Sequence, residues 1–148
     1  MSRGLGDVYK RQTELGVNAF AGTAIKSVTV PSSVGTVGAM AFSECQYLET
    51  VRYGGKVISD RMFGRCTKLK NLTLTRNVKE IVGGCFNYCE SLTTITYEGS
   101  LADWNAVKKN TNWDSHAVDI ESPLSKIQCL DGYMEYVTST KTWKEVKE

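Results

Sequence analysis

A large charge of either sign, a long apolar run and a histidine pair are all missing from this chain. The formal net charge is +2 over 148 residues, so charge points neither to nucleic acid nor to an anionic membrane as a partner. No apolar run approaches the roughly 20 residues that cross a bilayer, and no membrane span is expected. The single histidine, His116, stands in a polar loop, where a solvated surface role is expected. Cys85 and Cys89 are four apart, but no second Cys or His pair follows at ligand spacing, so zinc finds no ready set. Gly54-Gly55 and Gly83-Gly84 do not precede a long helix carrying Lys-Ser/Thr and are read as turns, not phosphate cradles. Asp103, Asp114 and Asp119 lack the spacing of a calcium loop. Lys68, Lys70 and Arg76 make a modest basic cluster, read as solvated. Catalysis needs a base, a nucleophile or a metal in a concave site. None is legible, so no catalytic residue, metal or cofactor is expected.

What is present is a repeat. An aromatic anchor recurs at Phe20, Phe42, Phe63 and Phe86, in steps of 22, 21 and 23 by subtraction. Three residues after each stands Thr23, Cys45, Cys66 or Cys89, followed by an aliphatic at Ile25, Leu48, Leu69 or Leu92. Each copy then carries an alternating couplet: Val28/Val30, Val51/Tyr53, Leu72/Leu74 and Ile95/Tyr97. A period in the twenties with apolar residues held in phase is the mark of a solenoid. The 41% hydrophobic and 23% charged composition suits one globular domain or one such array.

The couplets read as short strands with one buried face. Stacked copies put Val28, Val51, Leu72 and Ile95 in one ladder of a parallel sheet, with the phenylalanines filed behind it. Burial of each such side chain contributes roughly 1.5–3 kcal/mol, and no copy has enough partners to keep that alone, so stability is a sum over neighbours. The segment around each phenylalanine is too short for a long helix and predicts a single helical or 3-10 turn with the ring inward. Cys45, Cys66 and Cys89 share one repeat position, which predicts a buried column of thiols acting as small hydrophobes. Thr23 fills the same slot in the first copy. With Phe20, Phe42, Phe63 and Phe86 these cysteines form the expected structural core.

By the same alternation Ser27, Thr29, Thr50, Arg52, Asn71, Thr73, Thr94 and Thr96 face outward. This hydroxyl-rich, nearly neutral face is the candidate ligand-binding surface. The blander reading is that threonine simply suits an exposed strand, since no aromatic anchor projects there.

From Ser100 the period is lost. Ser100-Leu-Ala-Asp103 reads as a capping box opening a helix that ends before Asn110, with Leu101, Trp104, Ala106 and Val107 on its apolar side and Lys108 and Lys109 at its C-terminal end. Trp104 and Trp113 are open to two readings, a sugar-stacking pair or large rings closing the last coil; the second is favoured. Val118–Ile120 is a possible strand. Asp131-Gly132 predicts a two-residue hairpin turn between Lys126–Leu130 and Tyr133–Val137. Thr138–Glu148 is polar except for Trp143 and Val146, and either adds a strand or frays. Residues 1–12 match no phase of the repeat; Asp7–Gln12 resembles the translated transposon end used in sequencing-library adapters. The layout is thus a non-native or disordered leader (1–12), four repeats (13–99), a C-terminal cap (100–137) and a polar tail (138–148).

The pattern aliphatic-Gly-x-x-Ala-Phe-x-x-Cys-x-x-Leu-x-x-Val-x-aliphatic-Pro, clearest in Gly16–Phe20 and Gly38–Cys45, resembles the BspA-type leucine-rich repeat of many bacterial surface proteins. Met62-Phe63 and Cys85-Phe86 depart from its Ala-Phe, and only the first copy has the proline, Pro31. The resemblance implies an α/β, β-rich right-handed solenoid with a parallel sheet on one face, short helical or 3-10 turns on the other, and a closing cap with a short helix and a hairpin. It also implies a non-catalytic protein- or glycan-binding module, extracellular or on the cell surface. The alternatives are an accessory domain of a larger secreted enzyme, or a structural spacer.

Overall fold

The computed structural model of the chain describes residues 14–116 and 122–148. The expected leader and the possible strand at Val118–Ile120 lie outside them. Four parallel strands, β2 (Ser27–Val30), β4 (Thr50–Tyr53), β6 (Asn71–Leu74) and β8 (Thr94–Tyr97), stack in sequence order. Their register places Val28 opposite Val51, Val51 opposite Leu72, and Leu72 opposite Ile95. All four are buried, as is the second row, Val30, Tyr53, Leu74 and Tyr97. Strict alternation of β-branched and aromatic with short polar residues produces a sheet with one dry face.

Behind the sheet the phenylalanines stand in file. Ring centroids are 5.6 Å apart for Phe20 and Phe42, 5.7 Å for Phe42 and Phe63, and 6.2 Å for Phe63 and Phe86, with interplanar angles of 10° or less. Two smaller sheets of two-residue strands run along the other side of the coils. In one β1 (Glu14–Leu15) pairs with β3 (Thr36–Val37); in the other β7 (Glu80–Ile81) lies between β5 (Val57–Ile58) and β9 (Lys108–Lys109). Between those two groups, the Ser59 hydroxyl donates to the Val37 carbonyl.

The segments around the phenylalanines make i→i+3 hydrogen bonds, such as Cys66 N to Phe63 O and Cys89 N to Phe86 O. No helix grows from them, because two positions in each copy take left-handed backbone. One column is Asn18, Met40, Arg61 and Gly84 (φ 58, 56, 52 and 74); the other is Gly22, Glu44, Arg65 and Tyr88 (φ 69, 57, 63 and 61). Each left-handed non-glycine residue costs about 1 kcal/mol. The cost is offset by hydrogen bonds between turns of adjacent coils, among them Glu44 N to Gly64 O at 2.8 Å and Arg65 N to Asn87 O at 2.7 Å.

The cap continues the ladder. Strand β10 (Lys126–Gln128) lies parallel to β8, with Ile127 opposite Ile95, so the buried row gains a fifth member past the point where the sequence period fails. Helix α1 (Leu101–Ala106) opens with the capping box as expected: Ser100 Oγ accepts from Asp103 N, and an Asp103 carboxylate oxygen accepts from Ser100 N. It is shorter than the sequence suggests. Val107 takes extended backbone and Lys108–Lys109 pair as β9 beside Glu80–Ile81, since β pairing satisfies their backbone where another helical turn would not. Lys109 still serves the helix end, its Nζ donating to the carbonyls of Trp104 (2.9 Å) and Val107 (2.8 Å).

The hairpin also differs in detail. Strand β11 (Gly132–Val137) pairs antiparallel with β10, Gln128 opposite Tyr133, so the three residues Cys129–Asp131 connect the strands, closed by Cys129 N donating to Gly132 O at 2.8 Å, and Gly132 lies in the strand and not in the turn. Asp131 is drawn away from a tight turn because its carboxylate accepts from Leu101 N at 2.7 Å, at the start of α1. The polar tail adds a strand: β12 (Thr142–Lys147) pairs along the whole of β11.

Candidate functional site

Each predicted outward residue of the sheet lies on the face away from the core, and register sorts them into two rows. Ser27, Thr50 and Asn71 are cross-strand partners in one row, and Thr29, Arg52, Thr73 and Thr96 in the other. Thr94 belongs to the first row, opposite Lys126 of the cap. Thr73 and Thr94 are half-buried and the other six exposed. Pairing with β10 and β11 carries the rows on to Gln128 and Tyr133. Lys126 Nζ sits 4.4 Å from the Tyr133 ring centroid, a cation–aromatic contact. This extension is hard to read from the residues, because β10 lies in the cap and its phase with the repeats is visible only through Ile127.

Arg52 is not free on this face. Its Nη1 and Nη2 donate to the two Glu98 carboxylate oxygens at 2.6 and 2.7 Å, across 46 residues of sequence. Hydrogen bonding from Arg52 holds the Glu98 carboxyl below its usual range, and Glu98 raises Arg52 in turn. The pair borders a hollow of about 460 Å³ at the edge of the sheet, lined by Thr29, Ser32, Arg52, Asn77 and Glu98 among others. Glu98 was not among the predicted face residues, since it follows β8 outside the alternation.

Lys68, Lys70 and Arg76, read as a solvated basic cluster, are all exposed. Each also has a partner: Lys68 lies 5.1 Å from the Tyr47 ring centroid, Lys70 pairs with Glu49 at 3.3 Å, and Arg76 with Asp103 at 2.9 Å. His116, by contrast, is not a solvated loop residue. Its ring stacks on Tyr136 at 3.7 Å and 2°, and Nε2 lies 2.7 Å from the Leu124 carbonyl oxygen. Trp104 and Trp113 stand in a chain of rings, Tyr97–Trp104–Trp113–Trp143, with successive centroids 5.4, 5.5 and 5.5 Å apart. Both are buried, which suits rings that close the core and leaves no face for a sugar.

The thiols of the predicted core column form a ladder. Cys45 Sγ donates to Phe20 O (3.2 Å), Cys66 to Phe42 O (3.1 Å) and Cys89 to Phe63 O (3.1 Å), always to the phenylalanine carbonyl of the preceding coil. In the first copy Thr23 Oγ1 donates to Phe20 O of its own coil at 2.8 Å. Cys85, off the column, donates to Val82 O at 2.6 Å. All five cysteines are reduced and buried. Burial pushes Cys85 and Cys89 from 9.0 up to about 12, whereas the Cys66 thiol beside it, aided by Thr23, draws Cys45 down to about 7. Among the described residues no three His, Cys, Asp or Glu side chains converge as metal ligands would.

A raised folded pKa means that the proton is held more tightly in the native state, so the stabilisation is complete below the unfolded value and is lost as pH climbs through the folded one. The urea midpoint is therefore expected to fall between pH 9.0 and about 12. A Cys89→Ala variant, less stable at pH 8, should show a flatter alkaline decline. Equal slopes for the two proteins would remove Cys89 as a cause.

Parallel rungs, a file of phenylalanines and a thiol ladder at one repeat position occur together in one array. The chain belongs to the BspA-type leucine-rich repeat family. Residues 9–128 match the family model of the BspA type leucine rich repeat region, in six copies; four are legible from the phenylalanines, and the ladder runs on through Ile127. A crystal structure of a leucine rich cell surface protein from Faecalibacterium prausnitzii is similar at 23% identity, over 68% of this BspA-type chain and 33% of that one, with a TM-score of 0.49. The chain thus spans about a third of that protein's length. Among curated proteins no match was found. No helix of the described residues is long and apolar enough to cross a membrane.

Proposed function

We propose that this BspA-type array is a non-catalytic binding module of a cell-surface or secreted protein, and that it takes a protein or glycan ligand on the face of its large sheet. The observation that carries the reading is the pair of outward rows, Ser27–Thr50–Asn71 and Thr29–Arg52–Thr73–Thr96, exposed except at the half-buried Thr73 and set at strand spacing over a buried core. Short hydroxyl and amide groups at about 4.8 Å intervals can exchange hydrogen bonds with a ligand at little cost in side-chain entropy. The locked Arg52–Glu98 pair supplies a fixed charged edge. The cysteines are buried, His116 is engaged by Tyr136 and Leu124, and the Glu98 carboxylate in the hollow beside the sheet is held by Arg52, which favours binding over catalysis.

The test is an array of glycans and extracellular matrix proteins, probed with the wild type and with a variant carrying Thr29→Glu, Arg52→Ala, Thr73→Lys and Thr96→Glu. Thr73→Lys stands opposite Thr96→Glu, an opposite-charge pair across neighbouring strands, and no like charges face each other, so the melting temperature should hold while specific binding disappears. No signal above the variant would assign the array to a spacer role.

A further inference from the structure

We propose that the turns of the second to fourth coils form a separate binding site for a sugar that carries a carboxylate. The site is a hollow of about 360 Å³ lined by Met40, Glu44, Arg61, Arg65, Asn87 and Tyr88 among others. None of these residues belongs to the large sheet, so the proposal is independent of the sheet-face reading. The volume lies at the lower end of the roughly 300–1,000 Å³ that holds small ligands, and it suits one or two sugar rings.

Two features set this hollow apart. The first is residue choice. Gly22 and Gly84 show that the two left-handed columns accept glycine, yet five of the six such positions in the second to fourth coils are Met40, Glu44, Arg61, Arg65 and Tyr88, Gly84 being the sixth. All five line it. Large, functional side chains thus stand where backbone geometry favours the smallest residue, and they converge on one place.

The second is the set of unused groups. Arg61 meets a carboxylate only at the 4.0 Å limit, from Asp60, and its side chain is 65% exposed. Arg65 makes no ion pair among the described residues; its Cζ lies 4.6 Å from the Tyr88 ring centroid, a cation–aromatic contact that uses the face of the guanidinium and no N–H donor. Asn87 Oδ1 is taken by the Ser115 hydroxyl at 2.5 Å, which leaves the Asn87 amide nitrogen as a donor to the hollow. Two guanidinium groups match a carboxylate, by the bidentate geometry arginine offers. Glu44 decides between acidic ligands. A sugar brings hydroxyls that donate to Glu44 while its one carboxylate meets the arginines, whereas an acidic peptide brings further carboxylates and no hydroxyl donors to offset their repulsion by Glu44. A neutral sugar would leave both arginines unanswered.

The experiment titrates the full chain, labelled with ¹⁵N, with a galacturonic acid trisaccharide, and separately with a neutral galactose trisaccharide and an oligoglutamate peptide. The expected result is that the galacturonate alone shifts amides in residues 40–44, 61–65 and 84–88, and that added salt weakens it. The double variant Arg61→Gly, Arg65→Gly relieves two left-handed positions, so it should fold and melt no lower than wild type while binding falls by about tenfold or more. Arg61→Lys with Arg65→Lys keeps the charge and should retain part of the affinity. No shifts with galacturonate, equal binding of the neutral sugar or the peptide, or undiminished binding by the glycine variant would each overturn the proposal.

Discussion

Phe63→Ala is expected to lower the unfolding free energy by about 3–5 kcal/mol, the usual cost of emptying a closed aromatic site. Phe63 has no exposed surface. Its ring is sandwiched between Phe42 and Phe86 and meets the edge of Tyr53 at 6.2 Å, and its backbone is pinned by Cys85 O and the Cys89 thiol. The surrounding coils therefore cannot relax into the void. The same change at Phe20, a half-buried ring at the start of the file, should cost about 1–2 kcal/mol. Urea unfolding of both variants checks the pair. Since native domains hold only about 5–15 kcal/mol in reserve, Phe63→Ala should unfold at low denaturant. Equal losses at the two sites would mean that the coils do not depend on their neighbours, contrary to nearest-neighbour stabilisation in a solenoid.

Gly132→Ala is expected to cost about 2–4 kcal/mol and to act on the cap alone. Gly132 has φ +154, and a Cβ there would lie 2.2 Å from Val146 O and 2.8 Å from Leu101 Cδ1. Neither contact can yield cheaply: the first is backbone of β12, the second a buried side chain of α1. Strand β12 should detach, taking with it Trp143, whose ring packs on Trp113 and whose Nε1 donates to Asp114 Oδ2 at 2.7 Å. Amide exchange should then quicken over Thr142–Lys147 while Val51 and Leu72 stay protected. An unchanged melting temperature, or exchange that quickens everywhere, would contradict this account.

The phenylalanine file, the buried couplets and the outward rows could be read from the chain because each obeys a fixed step, and a period of two then decides which face a side chain takes. The capping box at Ser100 was legible for a local reason: its partners are three residues apart. What escaped was set by distant contacts. Asp131-Gly132 looks like a tight turn until Asp131 is claimed by Leu101 N. Lys108 and Lys109 look helical until Glu80 and Ile81 offer them a strand. The polar tail carries too few apolar residues to declare itself, and only the antiparallel pairing and the Trp143 contacts make it part of the fold. The hollow on the turns was invisible for a different cause, since left-handed backbone at Arg61 and Arg65 runs against the residues that occupy it.

The thiol ladder gives the array a sense of direction. Each of the second to fourth coils presents a sulfhydryl hydrogen to the phenylalanine carbonyl of the coil on its N-terminal side. Adjacent units therefore join head to tail through one shared bond type, and any in-phase duplication of about two dozen residues would arrive already fitted to both neighbours. Growth and shrinkage of such a gene by whole units would leave the joints intact, so length can change over generations without a new interface having to be invented.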